Sequence, residues 1–359
     1  MISNEELLRY DRHLKLSEIG LEGQEKIKKS KVLVIGAGGL GCPVLQYLTS
    51  AGVGKIAVMD NDIISLSNLQ RQVLFTTSDI GKLKTNTAIK QLKKSNPLIE
   101  LNNLPFNLTT ENALVIIKDY DIVVDCTDNF PSRYLINDAC VLLGKPFVYG
   151  ALHKFNGQLS VFNYNDGPTY RCLYPDIPKK DEVPNCSEVG VLGVLPSLIG
   201  TLQATEVIKI ILEIGDVLSG RILTYDLLSN QQNIISFSKS EVIVKELSDY
   251  NLKCNLLLKD EISSSQLKEL FAKRTKFNLI DIREEYERDD YKLDDTHFIP
   301  MGNIFSFIEK IDKEIPTVFY CDSGNKSRSV VSILKLKGYK KVYSLLGGLI
   351  QWKSEMQSI

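Results

Sequence analysis

A glycine-rich turn near the N-terminus is the first group of residues that could do chemistry. Its sequence is Gly-Ala-Gly-Gly-Leu-Gly, and it separates an apolar run from a helical pattern with Pro43 in the first turn. Glycine lets the backbone approach a phosphate closely, and a helix N-terminus supplies free N–H groups and the positive end of a dipole. The turn therefore predicts a nucleotide site, although NAD or FAD would fit as well as ATP. The predicted phosphate-binding glycines are Gly36, Gly38, Gly39 and Gly41.

Charged residues that follow the turn distinguish between these nucleotides. Asp60 ends the next apolar run, where a carboxylate can bind ribose hydroxyls. Arg71 and Lys84 come next, and a triphosphate needs such additional cations, whereas a dinucleotide does not. Asp128 is predicted to hold a Mg²⁺ ion that bridges phosphate oxygens. Arg71, Lys84 and Asp128 are predicted to be catalytic, because charge neutralisation favours attack of a carboxylate on the α-phosphorus.

A second reactive group, Cys321, ends another apolar run, and residues 322–328 lead from it into a helical pattern. A cysteine beside a Gly-containing loop at a helix N-terminus favours the thiolate, and Lys326 and Arg328 add cations in the same turn. Such a loop would also stabilise a persulfide, so Cys321 is predicted to be catalytic in sulfur transfer. A phosphatase loop is the alternative, but it needs a C-x₅-R spacing, and Arg328 comes one residue later than that.

Short apolar runs that alternate with helical patterns must position the nucleotide site. Such alternation is typical of an α/β fold with a mostly parallel sheet covered by helices on both faces. The predicted strands are Lys31–Gly36, Lys55–Asp60 and Asp121–Asp125, followed by Gln158–Phe162, Arg221–Asp226 and Asn233–Phe237; Pro43–Ala51 is a predicted helix.

A polar stretch, Ser238–Ser265, lacks clear periodicity and predicts a linker to a second, smaller α/β domain. The predicted strands of that domain are Asn278–Asp281, Thr317–Tyr320 and Lys341–Ser344, and its predicted helix is Ser327–Gly338. The predicted division of the chain is residues 1–245 for the nucleotide domain, 246–261 for the linker and 262–359 for the sulfur domain.

The bulk composition excludes several classes of protein. The chain has 359 residues with 43% hydrophobic and 24% charged residues, and its net charge of -1 offers no general surface for nucleic acid or anionic membrane. Proline and charged residues interrupt the apolar stretch Val189–Gly215, which is therefore predicted to be a loop and a buried helix rather than a membrane span. Seven dispersed cysteines and an N-terminus without signal-peptide features lead us to expect a cytoplasmic location.

The order of the nucleotide motifs resembles the ThiF/MoeB/HesA family, relatives of the ubiquitin-activating enzymes. The resemblance covers residues 4–240 and implies a Rossmann-like fold, ATP, Mg²⁺ and a homodimer. It also implies adenylylation of the terminal Gly-Gly carboxylate of a ubiquitin-like sulfur carrier of the ThiS/MoaD type. Asn68 matches a nucleotide-binding position, and Arg12 matches an arginine that reaches the partner's ATP site. The segments that carry the resemblance are Arg9–Leu16, Gly36–Gly41, Asp60, Ser65–Gln72, Gly81–Lys84 and Asp125–Asn129.

The sulfur domain resembles rhodanese over residues 262–359. Three segments carry the resemblance: Leu279–Glu284 for LIDxRE, Cys321–Ser327 for C-x-x-G-x-[RK]-S, and Gly347–Trp352 for GGxxxW. The resemblance implies sulfur transfer through a Cys321 persulfide, loaded by a donor such as a cysteine desulfurase. Residues 296–301 depart from the usual GHIxGA segment and Lys326 replaces the commoner arginine, which leaves the preferred donor open.

Three further cysteines match positions at which members of the ThiF/MoeB/HesA family have cysteines. Cys186 matches a mobile-loop cysteine that bonds to the carrier in some relatives, so it is predicted to be catalytic; its acidic surroundings favour a spare loop thiol as the alternative. Many relatives hold zinc on two Cys-x-x-Cys pairs, but here Thr169 and Asn251 replace the first cysteine of each pair. Only Cys172 and Cys254 remain, and two thiols cannot close a tetrahedral site, so no zinc is predicted.

Both sites in one chain favour activation of a sulfur carrier over ubiquitin-type conjugation. AMP makes the carboxyl group electrophilic, and a persulfide is the matching nucleophile, so the expected product is a thiocarboxylate. The alternatives are an NAD(P)- or FAD-dependent oxidoreductase, a binding module with degenerate sites, and a family member that activates a carboxylate on a peptide or tRNA. Thiamine, molybdopterin and tRNA thiolation all remain open as pathways.

Overall fold

The computed structural model describes residues 2–177, 190–241, 243–247, 260–273, 276–288, 291–307 and 312–357. The chain divides into two compact units, Met1–Cys254 and Asn255–Ile359. This division falls within the stretch for which a linker is predicted; the domain limits derived from the sequence stay a prediction.

An eight-stranded sheet forms the centre of the first unit. Its strands are β1 (Lys31–Ile35), β2 (Lys55–Met59), β3 (Glu100–Leu104), β4 (Ile122–Asp125), β5 (Phe147–His153), β6 (Asn156–Phe162), β7 (Arg221–Asp226) and β8 (Gln231–Ser236). The strand order is β3-β2-β1-β4-β5-β6-β7-β8. The first five strands pair in parallel, and β6, β7 and β8 extend the sheet in antiparallel pairs.

Helices cover both faces of this sheet because successive side chains of a buried strand point to opposite faces. In β1, Val32 and Val34 belong to one apolar core, and Leu33 and Ile35 belong to the other. The helices are α1 (Asn4–Arg9), α2 (Asp11–Leu14), α3 (Gly20–Lys29), α4 (Gly41–Ala51), α5 (Lys84–Ser95), α6 (Ala113–Ile117), α7 (Phe130–Leu143), α8 (Tyr170–Leu173) and α9 (Val194–Leu212). Helices α3, α4, α5 and α9 contribute to the first core, and α6, α7 and α8 contribute to the second.

Helix α9 is long and apolar enough to cross a membrane by length and composition, but half of its apolar window is buried within this unit. It packs on α4, β5 and β6, which makes it a core helix of the sheet. A Cβ atom on Gly200 would lie 2.4 Å from the carbonyl oxygen of Leu40. The glycine therefore lets α9 approach the start of α4 closely.

The second unit is a smaller parallel sheet with helices. Its strands are β9 (Glu261–Ile262), β10 (Asn278–Asp281), β11 (Thr296–Phe298), β12 (Thr317–Tyr320) and β13 (Val342–Leu345), in the order β11-β10-β12-β13-β9. Its helices are α10 (Ser264–Ala272), α11 (Ile304–Phe307), α12 (Asn325–Leu336) and α13 (Gly348–Gln357). Two separate apolar cores form in this unit, and strands β10, β12 and β13 contribute side chains to both.

The α/β fold class predicted from the sequence is confirmed for both units. Some element bounds differ: the last strand of the large sheet is Gln231–Ser236 rather than Asn233–Phe237, and the helix after Cys321 begins at Asn325 rather than at Ser327. Strands β3, β5, β9 and β11 were not predicted.

We expect Gly200→Ala to destabilise the first unit by about 1–3 kcal/mol, although alanine is the better helix former. The added methyl group has no room beside the Leu40 carbonyl, so α9 would have to shift. Urea unfolding followed by far-UV circular dichroism measures the change. Thr205→Ala, at an exposed position of the same helix, is the control and should stay within about 0.5 kcal/mol of the wild type. An unchanged midpoint for Gly200→Ala would contradict the close packing.

Candidate functional site

The loops after β1, β2 and β4 lie side by side at one edge of the large sheet. β1 pairs in parallel with β2 on one side and with β4 on the other, so Ile35 is opposite both Met59 and Asp125. The backbone continues this pairing, since Gly36 N donates to Met59 O at 2.8 Å and Cys126 N donates to Ile35 O at 2.9 Å. In open α/β sheets such a point, where the chain order reverses, forms a ligand-binding crevice.

Two of the glycines are required by the geometry of the turn itself. Gly36 has a φ of +100°, and a Cβ atom there would lie 2.6 Å from the carbonyl oxygen of Cys126. A Cβ atom on Gly41 would lie 2.0 Å from the carbonyl oxygen of Gly36. The turn is therefore tight, and it packs directly against the start of the segment that contains Asp128.

The other two glycines face side chains of different segments. A Cβ atom on Gly39 would lie 3.0 Å from Pro196 of α9 and 3.4 Å from Cγ of Arg71. A Cβ atom on Gly38 would have only Gln72 Nε2 nearby, at 3.8 Å. The structure thus brings the segment that carries Arg71 over the glycine turn.

Asp60 connects the end of β2 to the glycine turn. Its Oδ2 accepts a hydrogen bond from the backbone N–H of Ala37 at 2.8 Å, and its Oδ1 accepts one from the N–H of Asp62 at 2.8 Å. Burial raises the pKa of Asp60, and the charge of Lys84 opposes this rise. These bonds orient the carboxylate beside the turn, and its ribose-binding role stays a prediction.

Lys84 opens α5 and is 5% exposed. Its Nζ lies 2.6 Å from Oδ2 of Asp62 and 3.9 Å from Oδ2 of Asp60. Burial alone would lower the pKa of Lys84, but the negative charges of Asp60, Asp62 and Asp128 outweigh it and raise that pKa above its usual range. The ammonium group is therefore charged at neutral pH, and Asp128 lies within its electrostatic reach.

Arg71 and Asn68 belong to the segment Ser65–Gln72. Arg71 is half-buried, and its Nη1 donates to the carbonyl oxygen of Ser67 at 3.1 Å. Asn68 ends a short 3₁₀ helix, and its Oδ1 accepts from Ser65 N at 3.3 Å. Gln72, which the sequence reasoning did not single out, is buried, and its Oε1 has no hydrogen-bond partner among the residues described.

Asp128 is exposed at the end of a firmly held loop. Asp125 is buried, and its Oδ1 accepts from both the N–H and the hydroxyl group of Thr127, at 2.9 and 2.6 Å. Arg133 of α7 donates to the carbonyl oxygen of Thr127 at 3.2 Å, and Gln203 of α9 donates to that of Asp125 at 2.8 Å. The sequence reasoning missed Arg133 and Gln203, whose contribution depends on contacts between distant segments.

The donor set at this edge fits a Mg²⁺ ion that a nucleotide brings with it. Mg²⁺ is usually held by one or two carboxylates together with phosphate oxygens, and the exposed carboxylate of Asp128 can supply the protein ligand. Within the part of the chain that the structure describes, no group of three or more His, Cys, Asp or Glu residues could hold a metal ion by itself. The protein ligand of Mg²⁺ therefore stays a prediction.

Arg12 lies on α2, and 89% of its side chain is exposed. Its Nε is 3.9 Å from Oδ2 of Asp11. The guanidinium group is thus available to a second chain, as the predicted role in a homodimer requires, and that role stays a prediction.

The remaining loop and zinc predictions fall partly outside the described residues. Cys186 and Cys254 lie outside them, so their roles stay predictions. Cys172 is half-buried, and its Sγ accepts hydrogen bonds from the backbone N–H of Thr169 at 3.3 Å and of Ser240 at 3.4 Å. Burial raises the pKa of Cys172, but the hydrogen bonds from Ser240 and Thr169 outweigh burial and lower it. Thr169 thus contacts Cys172 as a hydrogen-bond donor where relatives have a second thiol.

Cys321 lies between β12 and α12 and is 2% exposed. Its Sγ is 3.7 Å from the hydroxyl oxygen of Ser327. Gly348 begins α13 against this loop, and a Cβ atom there would lie 2.2 Å from the carbonyl oxygen of Cys321. The N–H of Leu349 donates to that carbonyl at 3.0 Å, so the predicted Gly-Gly segment closes the loop around the cysteine.

The cations of the loop are paired with carboxylates. Lys326 forms an ion pair with Glu287, and Arg328 Nε lies 2.7 Å from Oε1 of Glu261. From the sequence, both cations were expected to favour a thiolate at Cys321. Each cation is thus paired with a carboxylate, whereas the hydroxyl group of Ser327 contacts the sulfur. The expected contribution of Lys326 and Arg328 to a thiolate stays a prediction.

A buried ion pair between Arg283 and Asp281 lies next to the cysteine loop. Arg283 is 1% exposed and makes bidentate contacts to the fully buried Asp281, with Nη2 to Oδ2 at 2.9 Å. Its Nη1 also lies 3.3 Å from Oδ1 of Asp322, the residue after Cys321. The LIDxRE segment therefore connects the end of β10 to the cysteine loop.

We expect Arg283→Met to destabilise the second unit by about 3 kcal/mol, because the buried carboxylate of Asp281 loses its bidentate partner and keeps the more distant Arg288, whose Nε lies 3.6 Å from Oδ2. Trp352, the one tryptophan of the chain, is buried in this unit, so its fluorescence during urea unfolding reports on this unit alone. Lys341→Met breaks an exposed ion pair with Glu314 in the same unit and is the control, with an expected loss of about 1 kcal/mol or less. Equal losses of unfolding free energy for the two variants would contradict a larger contribution from the buried pair.

Two family profiles match the chain, one in each of its two units. The ThiF family profile matches residues 10–242, and the rhodanese-like domain profile matches residues 263–355. The probable adenylyltransferase/sulfurtransferase MoeZ of Mycobacterium tuberculosis is 39% identical over 373 residues, which cover 99% of this chain and 95% of that protein. The sulfur carrier protein adenylyltransferase of Thermus thermophilus is 48% identical over 267 residues, which cover 71% of this chain and 98% of that protein.

A solved structure supports the same assignment. The crystal structure of E. coli MccB with ATP aligns with a TM-score of 0.57 and 25% identity, over 65% of this chain and 73% of that one. The resemblances inferred from the motifs are confirmed. The chain belongs to the ThiF family, and it carries a rhodanese-like domain at residues 263–355.

Proposed function

We propose that this enzyme uses ATP to adenylylate the terminal Gly-Gly carboxylate of a ubiquitin-like sulfur carrier and then converts it to a thiocarboxylate with sulfur from Cys321. The observation that carries the proposal is the presence of both sites in one chain: a glycine turn flanked by Asp60, Lys84 and the Asp128 loop, and a cysteine loop of rhodanese type. The Thermus relative, which is named as a sulfur carrier protein adenylyltransferase, supports the acceptor class.

In the adenylylation step, residues of the nucleotide site neutralise negative charge on the phosphates of ATP. Lys84 and Arg71 place positive charge beside the glycine turn, and Asp60 is oriented to accept ribose hydroxyls. Mg²⁺, when held by Asp128, would neutralise charge on the phosphate oxygens. The carrier carboxylate attacks the α-phosphorus, pyrophosphate leaves, and an acyl adenylate forms.

The sulfur side is nucleophilic substitution at the activated carbonyl. The terminal sulfur of a Cys321 persulfide attacks the carbonyl carbon, AMP leaves, and an acyl disulfide forms. A second thiol must then attack the inner sulfur, which releases the thiocarboxylate and leaves a disulfide that an external thiol reduces. Cys186 is our candidate for that second thiol.

The proposal also includes the sulfur donor, the oligomeric state, the cellular location and the cofactors. A cysteine desulfurase is a suitable donor, because the cations near Cys321 are paired and offer little attraction to a small anionic sulfur source. The exposed Arg12 suits a homodimer in which it reaches the partner's nucleotide. We further propose a cytoplasmic enzyme that needs ATP and Mg²⁺ but no zinc, and that binds neither nucleic acid nor membrane.

ATP–pyrophosphate exchange is expected only when a carrier that ends in Gly-Gly is present. Asp128→Asn should lower its rate by about 10²–10³-fold, because the neutral amide is a weaker ligand for Mg²⁺ than the carboxylate is, and phosphate charge is then less well neutralised. Asp119→Asn, at an exposed position ahead of β4, is the control and should keep the wild-type rate. Exchange that responds to a peptide or tRNA but to no carrier would contradict the proposed substrate, and a bound flavin or nicotinamide without exchange would favour an oxidoreductase.

Cys321→Ser should leave exchange unchanged and abolish the thiocarboxylate. The hydroxyl group cannot carry a persulfide, whereas the nucleotide residues belong to another unit. Mass spectrometry of the carrier after incubation with ATP and a sulfur donor measures the product. Cys140→Ser, which changes a buried thiol of helix α7, is the control and should still form it. Thiocarboxylate formation by Cys321→Ser would show that another group carries the sulfur.

A further inference from the structure

Asp62 is a carboxylate of the nucleotide edge that neither the sequence motifs nor the proposed mechanism uses. It contacts both the backbone and the side chain of Lys84. Its carbonyl oxygen accepts a hydrogen bond from the backbone N–H of Lys84 at 3.0 Å, and its Oδ2 lies 2.6 Å from Nζ of that residue. The corresponding distance from Nζ to Oδ2 of Asp60 is 3.9 Å. Asp62, rather than the predicted ribose ligand, is therefore the principal counter-ion of this lysine.

The burial of the two partners is unequal. The side chain of Lys84 is 6% exposed, whereas that of Asp62 is 54% exposed. Asp62 can therefore turn into solvent at little cost, while the ammonium group of Lys84 stays within the protein. Any anion that is to contact this ammonium group must share it with Asp62 or replace it.

Several negative charges lie at this edge of the sheet, so replacement of Asp62 at Lys84 would change how strongly an anion binds. Asp60, Asp62 and Asp128 all act on the charge of Lys84, so carboxylates already surround the cation that the nucleotide needs. A triphosphate that arrives there meets repulsion from Asp62 in addition to competition for Lys84. At close range such charge interactions are strong, because the surroundings screen them less than water does.

We propose that Asp62 is a positioning residue of the nucleotide site, which binds the ammonium group of Lys84 in competition with the triphosphate of ATP and so weakens ATP binding. This inference rests on the proposed function, since it needs ATP as the ligand of Lys84. It adds a determinant of affinity on this chain that acts through Lys84 and touches no reacting atom. A residue that only oriented Lys84 would have the opposite effect when removed.

Direct binding of ATP and of adenosine to the full chain, measured by isothermal titration calorimetry without carrier, separates the two effects. Asp62→Asn should bind ATP about three- to tenfold more tightly than the wild type, because the amide is neutral and competes less for Lys84. Adenosine lacks phosphates, so its dissociation constant should stay within about twofold. Asp62→Glu keeps the carboxylate and should bind ATP as the wild type does.

Glu213→Gln is the matched control, since it removes an exposed carboxylate that lies 2.8 Å from Lys26. It should change neither constant. Unchanged or weaker ATP binding by Asp62→Asn, with adenosine binding intact, would overturn this inference and leave the proposed function in place. No ATP binding by the wild-type chain would overturn both. Loss of adenosine binding would reveal a misfolded variant, in which case Asp62→Ser gives the same comparison: tighter ATP binding supports the inference and weaker binding overturns it.

Discussion

The parallel pairing of β1 with both β2 and β4 is the constraint on which the nucleotide site depends. It brings the loops after the three strands to one edge, where the Gly36–Gly41 turn contacts Cys126 and Asp60 accepts from Ala37. With a Cβ atom at Gly36 or Gly41 this packing would clash with backbone oxygens. The charged residues predicted to be catalytic are therefore positioned by backbone pairing and by the absence of side chains at these glycines.

The sulfur site follows a comparable rule in a different sheet. Cys321 ends the central strand β12, and its loop is enclosed by the start of α12, by Gly348 and by the buried Arg283–Asp281 pair. Because Lys326 and Arg328 are both neutralised, this loop differs electrostatically from the cationic cradle that its residue types alone would indicate. In both units strand pairing positions the reactive residues, and ion pairs between neighbouring side chains set the charge around them.

Much of the fold and the motif residues could be predicted from the sequence because they depend on local patterns. Apolar runs such as Lys31–Ile35 indicate buried strands, and glycines in a strand-to-helix turn indicate phosphate binding. Strand β3 was missed because Asn102 and Asn103 give it no apolar alternation at the edge of the sheet. Gln203, Arg133 and Asp62 were missed because each acts through a tertiary contact that no spacing reveals. The roles of Arg12, Asn68, Cys186 and the other site residues stay predictions.

The central claim is that sulfur attacks a carboxyl group that AMP has made electrophilic, and isotope transfer tests it most directly. A carrier whose terminal carboxylate contains ¹⁸O at both oxygens is incubated with the enzyme, ATP and a sulfur donor, and the AMP released is examined by mass spectrometry. We expect one ¹⁸O atom in each AMP formed together with thiocarboxylate, because a carboxylate oxygen leaves with the phosphate. Thiocarboxylate formed together with unlabelled AMP would contradict it.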